Sequence, residues 1–220
     1  MLSTHFGLLC LAGAYLIGAI PFGYLIGRFN GIDIRLHGSG NIGATNVLRV
    51  VGKPWGYTCF ALDFLKGSLP VIAVIRLTPQ VGAEGLLNSL APLLAAAGTV
   101  AGHIWPVYLK FKGGKGVATM VGTVLPLAPL PVLLTGAAWG LTFKLSRYVS
   151  LASLVAAALL PLSALALSLS GRRAFPLLPD HLQTPGLLLL AALGALVILK
   201  HHGNIRRLLN GTENRFAKKG

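Results

Sequence analysis

Acidic residues are nearly missing from this chain: 5 Asp and Glu stand against 19 Lys and Arg in 220 residues, a formal net charge of +14. With so few carboxylates, no helix carries the run of acidic or histidine side chains that a transmembrane proton relay needs. No metal-ligand cluster is visible either, and no cofactor is expected. Cysteine is as scarce. Cys10 and Cys59 are the two present; both lie in apolar stretches without metal-ligand spacing and read as core residues rather than a disulfide. No serine or cysteine occupies a nucleophile elbow. Charge of either sign is rare, at 11% of residues against about 25% in soluble domains, while 54% are hydrophobic and the mean hydropathy is +0.73. That composition implies an integral membrane protein. In a soluble protein the basic excess would suggest nucleic acid; here the enrichment of cytoplasmic loops in Lys and Arg accounts for it, and no nucleic-acid partner is expected. The first apolar run lacks a basic segment before it and is followed by Arg28 and Arg35, which reads as a retained span rather than a cleaved signal.

A span needs about 20 mainly apolar residues, and 6–27, 55–77, 85–104, 149–170 and 185–200 qualify. The region 117–143 is apolar but broken by Pro126, Pro129 and Pro131, which interrupt a helix. Charge settles the parity. If the loop after the first span is cytoplasmic, every Lys and Arg except Arg76, Arg172 and Arg173 falls inside, and the loop holding Glu84 falls outside. This holds only if 117–143 crosses out and back as two short helices of about 13 residues, or about 20 Å, each. The expectation is one all-α transmembrane domain over 1–220, with seven segments, the N-terminus outside and the C-terminus cytoplasmic.

Three polar stretches then lie on one face. Residues 38–49 (GSGNIGATNVLR) contain a literal G-x-G-x-x-G at Gly38, Gly40 and Gly43. A dinucleotide fold is excluded, since a span begins near residue 55 and leaves no room for a second strand. The glycines still allow backbone amides to approach an anion, and Ser39, Asn41, Thr45 and Asn46 add neutral donors. A helix starting near Thr45 would present its N-terminal amides and carry Arg49 one turn beyond Asn46. The second stretch, His103 to Gly116, is a cationic turn. Gly116 stands where a P-loop requires Ser or Thr after the lysine, so an NTPase is excluded. Lys110 and Lys112 read as headgroup lysines; Lys115, between Gly114 and Gly116, is the better anion ligand. Trp105 and Tyr108 read as interfacial aromatics, and His103 as a ligand or a structural histidine. In the third stretch, 201–213 (HHGNIRRLLNGTE), His201 and Asn204 share a face of a continuing helix, and Glu213 should pair with a basic neighbour. Asp63 and Lys66, spaced i, i+3 in the second span, should neutralise each other.

Residues 38–49, then 102–106 (GHIWP) with 111–119 (FKGGKGVAT), then His201, Asn204, Arg207 and Gly211 to Glu213, resemble the PlsY family of bacterial acyl-phosphate-dependent glycerol-3-phosphate acyltransferases. The resemblance runs the length of the chain. It implies a seven-helix inner-membrane enzyme, active at the cytoplasmic face, that moves a fatty acyl group from acyl phosphate to glycerol 3-phosphate and gives lysophosphatidic acid and phosphate. By the family pattern Ser39, Arg49, Lys115 with Gly114 and Gly116, and His201, Asn204 and Glu213 are functional positions. Ser39, Arg49, Lys115, His201 and Asn204 are assigned to catalysis and the holding of glycerol 3-phosphate. Gly40, Asn41, Thr45, Asn46, Gly114, Gly116 and Glu213 are assigned to substrate binding. The partners implied are the two substrates and membrane lipid, with the protein a monomer. Phosphate is the leaving group, so positioning and charge stabilisation matter more than a strong nucleophile, and direct attack without an acyl-enzyme is expected. The rival class is a transporter for an organic phosphate. It fits less well, because transporter sites lie near the midplane of repeated halves.

Overall fold

The computed structural model describes residues 5–81 and 85–216; Glu84, Lys218 and Lys219, which entered the charge argument, lie outside the described residues. Among these residues every regular element is helical. Four stretches, Phe6–Phe29, Lys53–Gln80, Val149–Leu169 and Asp180–Lys200, are long and apolar enough to cross a membrane. The chain forms two compact units, Met1–Pro126 and Leu127–Gly220.

In the first unit, α1 (Phe6–Gly18) and α2 (Phe22–Phe29) divide the expected first span. Pro21 lacks the N–H that would continue the ladder, and Lys66 Nζ donates to the Ile20 carbonyl beside the break at 2.8 Å. A short 3-10 turn (Ile34–Leu36) leads to α3 (Ala44–Val50) and the long α4 (Lys53–Val81). The span expected over 85–104 is shorter than foreseen. One turn, α5 (Leu86–Ser89), precedes α6 (Ala91–Ile104), which starts with Pro92 in its first turn, where no donor is needed. After a 3-10 turn (Val107–Leu109) comes α7 (Val117–Val124). α1 packs on α6, and α4 on α6 and α7. Small residues permit this closeness, as in membrane helix pairs generally. A Cβ on Gly102 would lie 2.2 Å from the Tyr15 carbonyl oxygen, and one on Gly122 2.1 Å from that of Phe64.

The second unit comprises α8 (Pro129–Ser146), α9 (Val149–Leu169), a 3-10 turn (Asp180–Leu182), α10 (Gln183–Lys200) and α11 (His202–Leu209). α9 packs on α8 and α10, and α11 on both α9 and α10. The equal division expected of 117–143 is not found: α7 has 8 residues and α8 has 18. Pro129 and Pro131 fall in the first turn of α8, where a missing donor costs nothing, so they start that helix instead of shortening it. The loop before α10 is built around Phe175, which is fully buried. Gln183 brackets it, accepting from its N–H and donating to its carbonyl.

Candidate active site

The first motif is a loop wound around one side chain. Asn46 is only 2% exposed. Its Oδ1 accepts from the Ser39 N–H at 2.9 Å, and its Nδ2 reaches the carbonyls of Ile34, His37 and Asn41 at 3.2, 3.0 and 2.9 Å. Asn41 Oδ1 accepts from the Gly43 N–H at 2.8 Å, a local turn typical of asparagine. Gly43 caps α3, which begins at Ala44, one residue before the start expected near Thr45. Beneath the loop, Ile34, Ile42 and Val47 join Ile26 and Cys59 in a buried cluster. Gly40 takes a left-handed φ of 68°. Ser39 and Arg49 are exposed and Thr45 is half-buried. Asn46 and Arg49 therefore part company. The asparagine turns inward to the loop backbone, and the arginine, one turn on, reaches the surface. In the structure Asn41 and Asn46 serve the shape of the loop.

The second motif folds back onto the end of α6. A helix leaves its last carbonyls without partners; here the Gly113 N–H donates to Ile104 O at 3.2 Å and the Gly114 N–H to His103 O at 3.1 Å. The approach is so close that only glycine fits at 114, since a Cβ there would stand 2.1 Å from His103 Nε2. Gly116 caps α7 with φ 82°. Lys110 and Phe111 are both left-handed without being glycine, at φ 53° and 62°, an uncommon backbone that turns the chain at the loop's outer edge. Lys115 is half-buried, whereas Lys110 and Lys112 are exposed.

In the second unit, His201 sits at the junction of α10 and α11, so the helix expected to continue through it ends at Lys200 and resumes at His202. His201 is 3% exposed, and its Nδ1 lies 2.7 Å from Val197 O. A carbonyl can only accept, so Nδ1 carries a proton; whenever the ring is neutral, Nε2 is its acceptor nitrogen. Asn204 Nδ2 donates to Glu213 Oε1 at 2.7 Å, Ser150 Oγ to the same oxygen at 2.9 Å, and Arg207 Nε to Oε2 at 2.7 Å. Burial would push the Glu213 carboxyl up, but the hydrogen bonds from Asn204, Arg207 and Ser150 together hold it below the ordinary carboxylate value. The expected pairing of Glu213 is met by Arg207. Ser150, one of several serines in the apolar helix α9, has nothing in its sequence neighbourhood that marks it.

The pairing expected between Asp63 and Lys66 is present at 2.6 Å. Sequence reasoning missed that His103 joins them, with Nδ1 at 3.6 Å from Asp63 Oδ1. The signal was available, since ionisable residues inside a span are functional suspects by default.

A family profile described as glycerol-3-phosphate acyltransferase matches residues 8–211, taking in the first two motifs and His201 to Asn204 of the third. The glycerol-3-phosphate acyltransferase of Syntrophotalea carbinolica is 47% identical over 218 residues, covering 97% of this chain and 98% of its own. That of Trichlorobacter lovleyi is 44% identical over 213 residues, covering 96% and 97%. Among solved structures, the crystal structure of PlsY (YgiH), an integral membrane glycerol 3-phosphate acyltransferase in its glycerol 3-phosphate form, aligns with TM-score 0.79 and 38% identity over 96% of both chains. Its lysophosphatidic acid form aligns with TM-score 0.77 and 37% identity, over 96% of this chain and 95% of that one. Similarity this even, from the first helix to the last and in fold as well as sequence, makes the chain a member of the glycerol-3-phosphate acyltransferase family.

Proposed function

We propose that this protein transfers a fatty acyl group from acyl phosphate to the primary hydroxyl of glycerol 3-phosphate, releasing lysophosphatidic acid and inorganic phosphate. The reading rests on one observation above the others: full-length similarity to an acyltransferase whose structure was solved in a glycerol 3-phosphate form and in a lysophosphatidic acid form. The acyl-phosphate donor follows from the family resemblance of the three motifs. The proposed setting is the bacterial inner membrane, with seven membrane segments acting as a single monomeric domain, the N-terminus outside and the three motifs cytoplasmic.

In this reaction the substrate oxygen attacks the acyl carbonyl carbon, the bond from that carbon to the phosphate oxygen breaks, and phosphate leaves with the electron pair. The hydroxyl proton passes to the departing phosphate or to Nε2 of His201. Arg49 and Lys115, with Ser39, supply the cations and donors that hold phosphate. The loop amides near Gly40 and Thr45, and those at Gly114 and Gly116, supply fixed backbone dipoles. Asn41 and Asn46 act by shaping the first loop, and Glu213 by orienting Asn204. Such groups lower the barrier by being in place before charge develops, so no nucleophilic enzyme residue is required.

The test is direct: purified protein in lipid, incubated with palmitoyl phosphate and glycerol 3-phosphate, should release phosphate and form lysophosphatidic acid in equal amounts. Failure with acyl phosphate but activity with acyl thioesters would overturn the donor. Trapping a stable acyl-enzyme on Ser39 would overturn direct attack.

A further inference from the structure

Asp63, Lys66 and His103 form a charged cluster in the interior of the first unit, with relative exposures of 2%, 5% and 5%. Lys66 Nζ lies 2.6 Å from Asp63 Oδ1 and donates to Ile20 O at 2.8 Å. His103 Nδ1 lies 3.6 Å from that same carboxylate oxygen. Buried ion pairs are poor stabilisers, because desolvation consumes most of their attraction and apolar residues of the same volume do as well. The cluster's contribution is better sought in what it orients.

What it orients is the His103 ring. One side of the ring faces Asp63. The other lies against Gly114, where a Cβ would meet Nε2, Cε1 and Cδ2 at 2.1, 3.0 and 3.1 Å. The backbone of the same residue, His103 O, accepts the Gly114 N–H. His103 thus holds Gly114 twice, by its carbonyl and by its ring, and Lys115 is the next residue. On the opposite side of Asp63, Cys59 Sγ lies 3.7 Å from Oδ2, and Cys59 packs in the buried cluster under the first motif with Ile42 and Val47. The carboxylate therefore sits between the floor of one motif and the clamp of the other.

We propose that Asp63 and His103 are positioning residues for the Gly113 to Gly116 loop: the carboxylate fixes the imidazole, the imidazole fixes Gly114, and Lys115 is thereby aimed at the phosphate of glycerol 3-phosphate. Neither residue touches substrate. The inference rests on the reading of this loop as part of the glycerol 3-phosphate site.

The test uses the full chain in lipid, with KM measured separately for the two substrates and glycerol 3-phosphate binding followed by calorimetry. Gly114→Ala should raise KM for glycerol 3-phosphate roughly ten- to hundredfold, the scale of a misplaced group in a preorganised site. Removing the ring gives the added methyl room. On a His103→Ala background the same substitution should therefore change that KM by no more than about threefold, the residue of a relaxed contact. If the two effects simply multiply, the ring is not the route and the inference falls. Asp63→Leu with Lys66→Met removes both charges together and strands neither, so the fold is kept. It should raise KM for glycerol 3-phosphate by roughly tenfold while kcat and KM for palmitoyl phosphate stay within about threefold. An unchanged KM overturns the proposal. So does a uniform loss of all three parameters that tracks the thermal midpoint, which would make the cluster mere scaffold. If the wild-type chain neither binds glycerol 3-phosphate nor turns over, the functional reading fails and takes this inference with it; an active wild type with unselective variants refutes the inference alone.

Discussion

Glu213→Gln tests the most fully connected group in the third motif with the least change in volume. The carboxylate accepts from Asn204 and Ser150 on Oε1 and from Arg207 on Oε2. A carboxamide has one acceptor oxygen, so one of those sides must face an NH2 group. Turned toward Asn204, that NH2 would oppose another NH2 in a buried position. Turned toward Arg207, it opposes a guanidinium that is 40% exposed and can recover water. The second arrangement should win. The loss is then one charge-assisted hydrogen bond, about 1.5–3 kcal/mol if buried and nearer about 1 kcal/mol after screening at an exposed arginine. Weakening the other two bonds from a charged to a neutral acceptor adds about 1 kcal/mol. A total of about 2 kcal/mol should lower the thermal midpoint by roughly 4–8 °C in a chain of this size, read by tryptophan fluorescence in detergent. The pH dependence carries the sign. The folded carboxyl titrates below its unfolded value, so its contribution is complete above the ordinary value near pH 4.3 and is lost as pH falls through the folded value. The gap between wild type and variant should accordingly be constant around neutrality and close in acid. A midpoint unchanged by the substitution, or a gap that persists undiminished to about pH 3, would refute the assignment of Glu213 as an ionised anchor.

Three further outcomes are expected. Asn46→Asp keeps the acceptor for Ser39 but turns a carboxylate oxygen toward the carbonyls of Ile34, His37 and Asn41. It should cost about 2–4 kcal/mol and most of the activity, and near-normal turnover would remove Asn46 as the loop's organiser. Lys115→Ala should lower kcat/KM for glycerol 3-phosphate roughly a hundredfold or more, whereas Lys110→Ala, at an exposed position, should change it by less than about threefold; equal effects would refute the ranking. A topology reporter fused at Pro129, the first residue of α8, should read as external, and a cytoplasmic signal there would remove the seven-segment arrangement.

The parts of this fold legible in sequence were those set by local rules. The i, i+3 spacing put Asp63 beside Lys66, and the helix expected to start near Thr45 starts at Ala44. Composition and span length marked Val149–Leu169 and the helix ending at Lys200. What escaped depends on direction or on distance along the chain. A run of Ser, Asn and Thr announces hydrogen-bonding capacity but cannot say whether it faces a ligand or the chain's own backbone; Asn46 spends its amide inward, and only the fold decides that. Ser150 meets Glu213 across 63 residues, and no periodicity encodes such a contact. The prolines of 117–143 misled for a related reason. A proline breaks a helix or begins one according to where the first turn falls, and that position belongs to α8's packing against α9.

A common construction runs through the three motifs. Each pairs a cation with a nearly buried polar residue that binds elements of the motif itself. In the first, Asn46 gathers three carbonyls and the Ser39 amide while Arg49 reaches the surface. In the second, His103 grips Gly114 by carbonyl and ring beside half-buried Lys115. In the third, Glu213 ties Asn204 to Arg207 near His201. A site that must stabilise phosphate charge at a membrane surface competes with water, whose dipoles reorganise freely but at a free-energy cost for every turnover. Groups already aligned avoid that cost, and flexible glycine-rich loops cannot align themselves. In the first two motifs glycine lets the backbone come close, and Asn46 and His103 bond to that backbone; in the third, Glu213 holds side chains of α11 instead, accepting from Asn204 and Arg207.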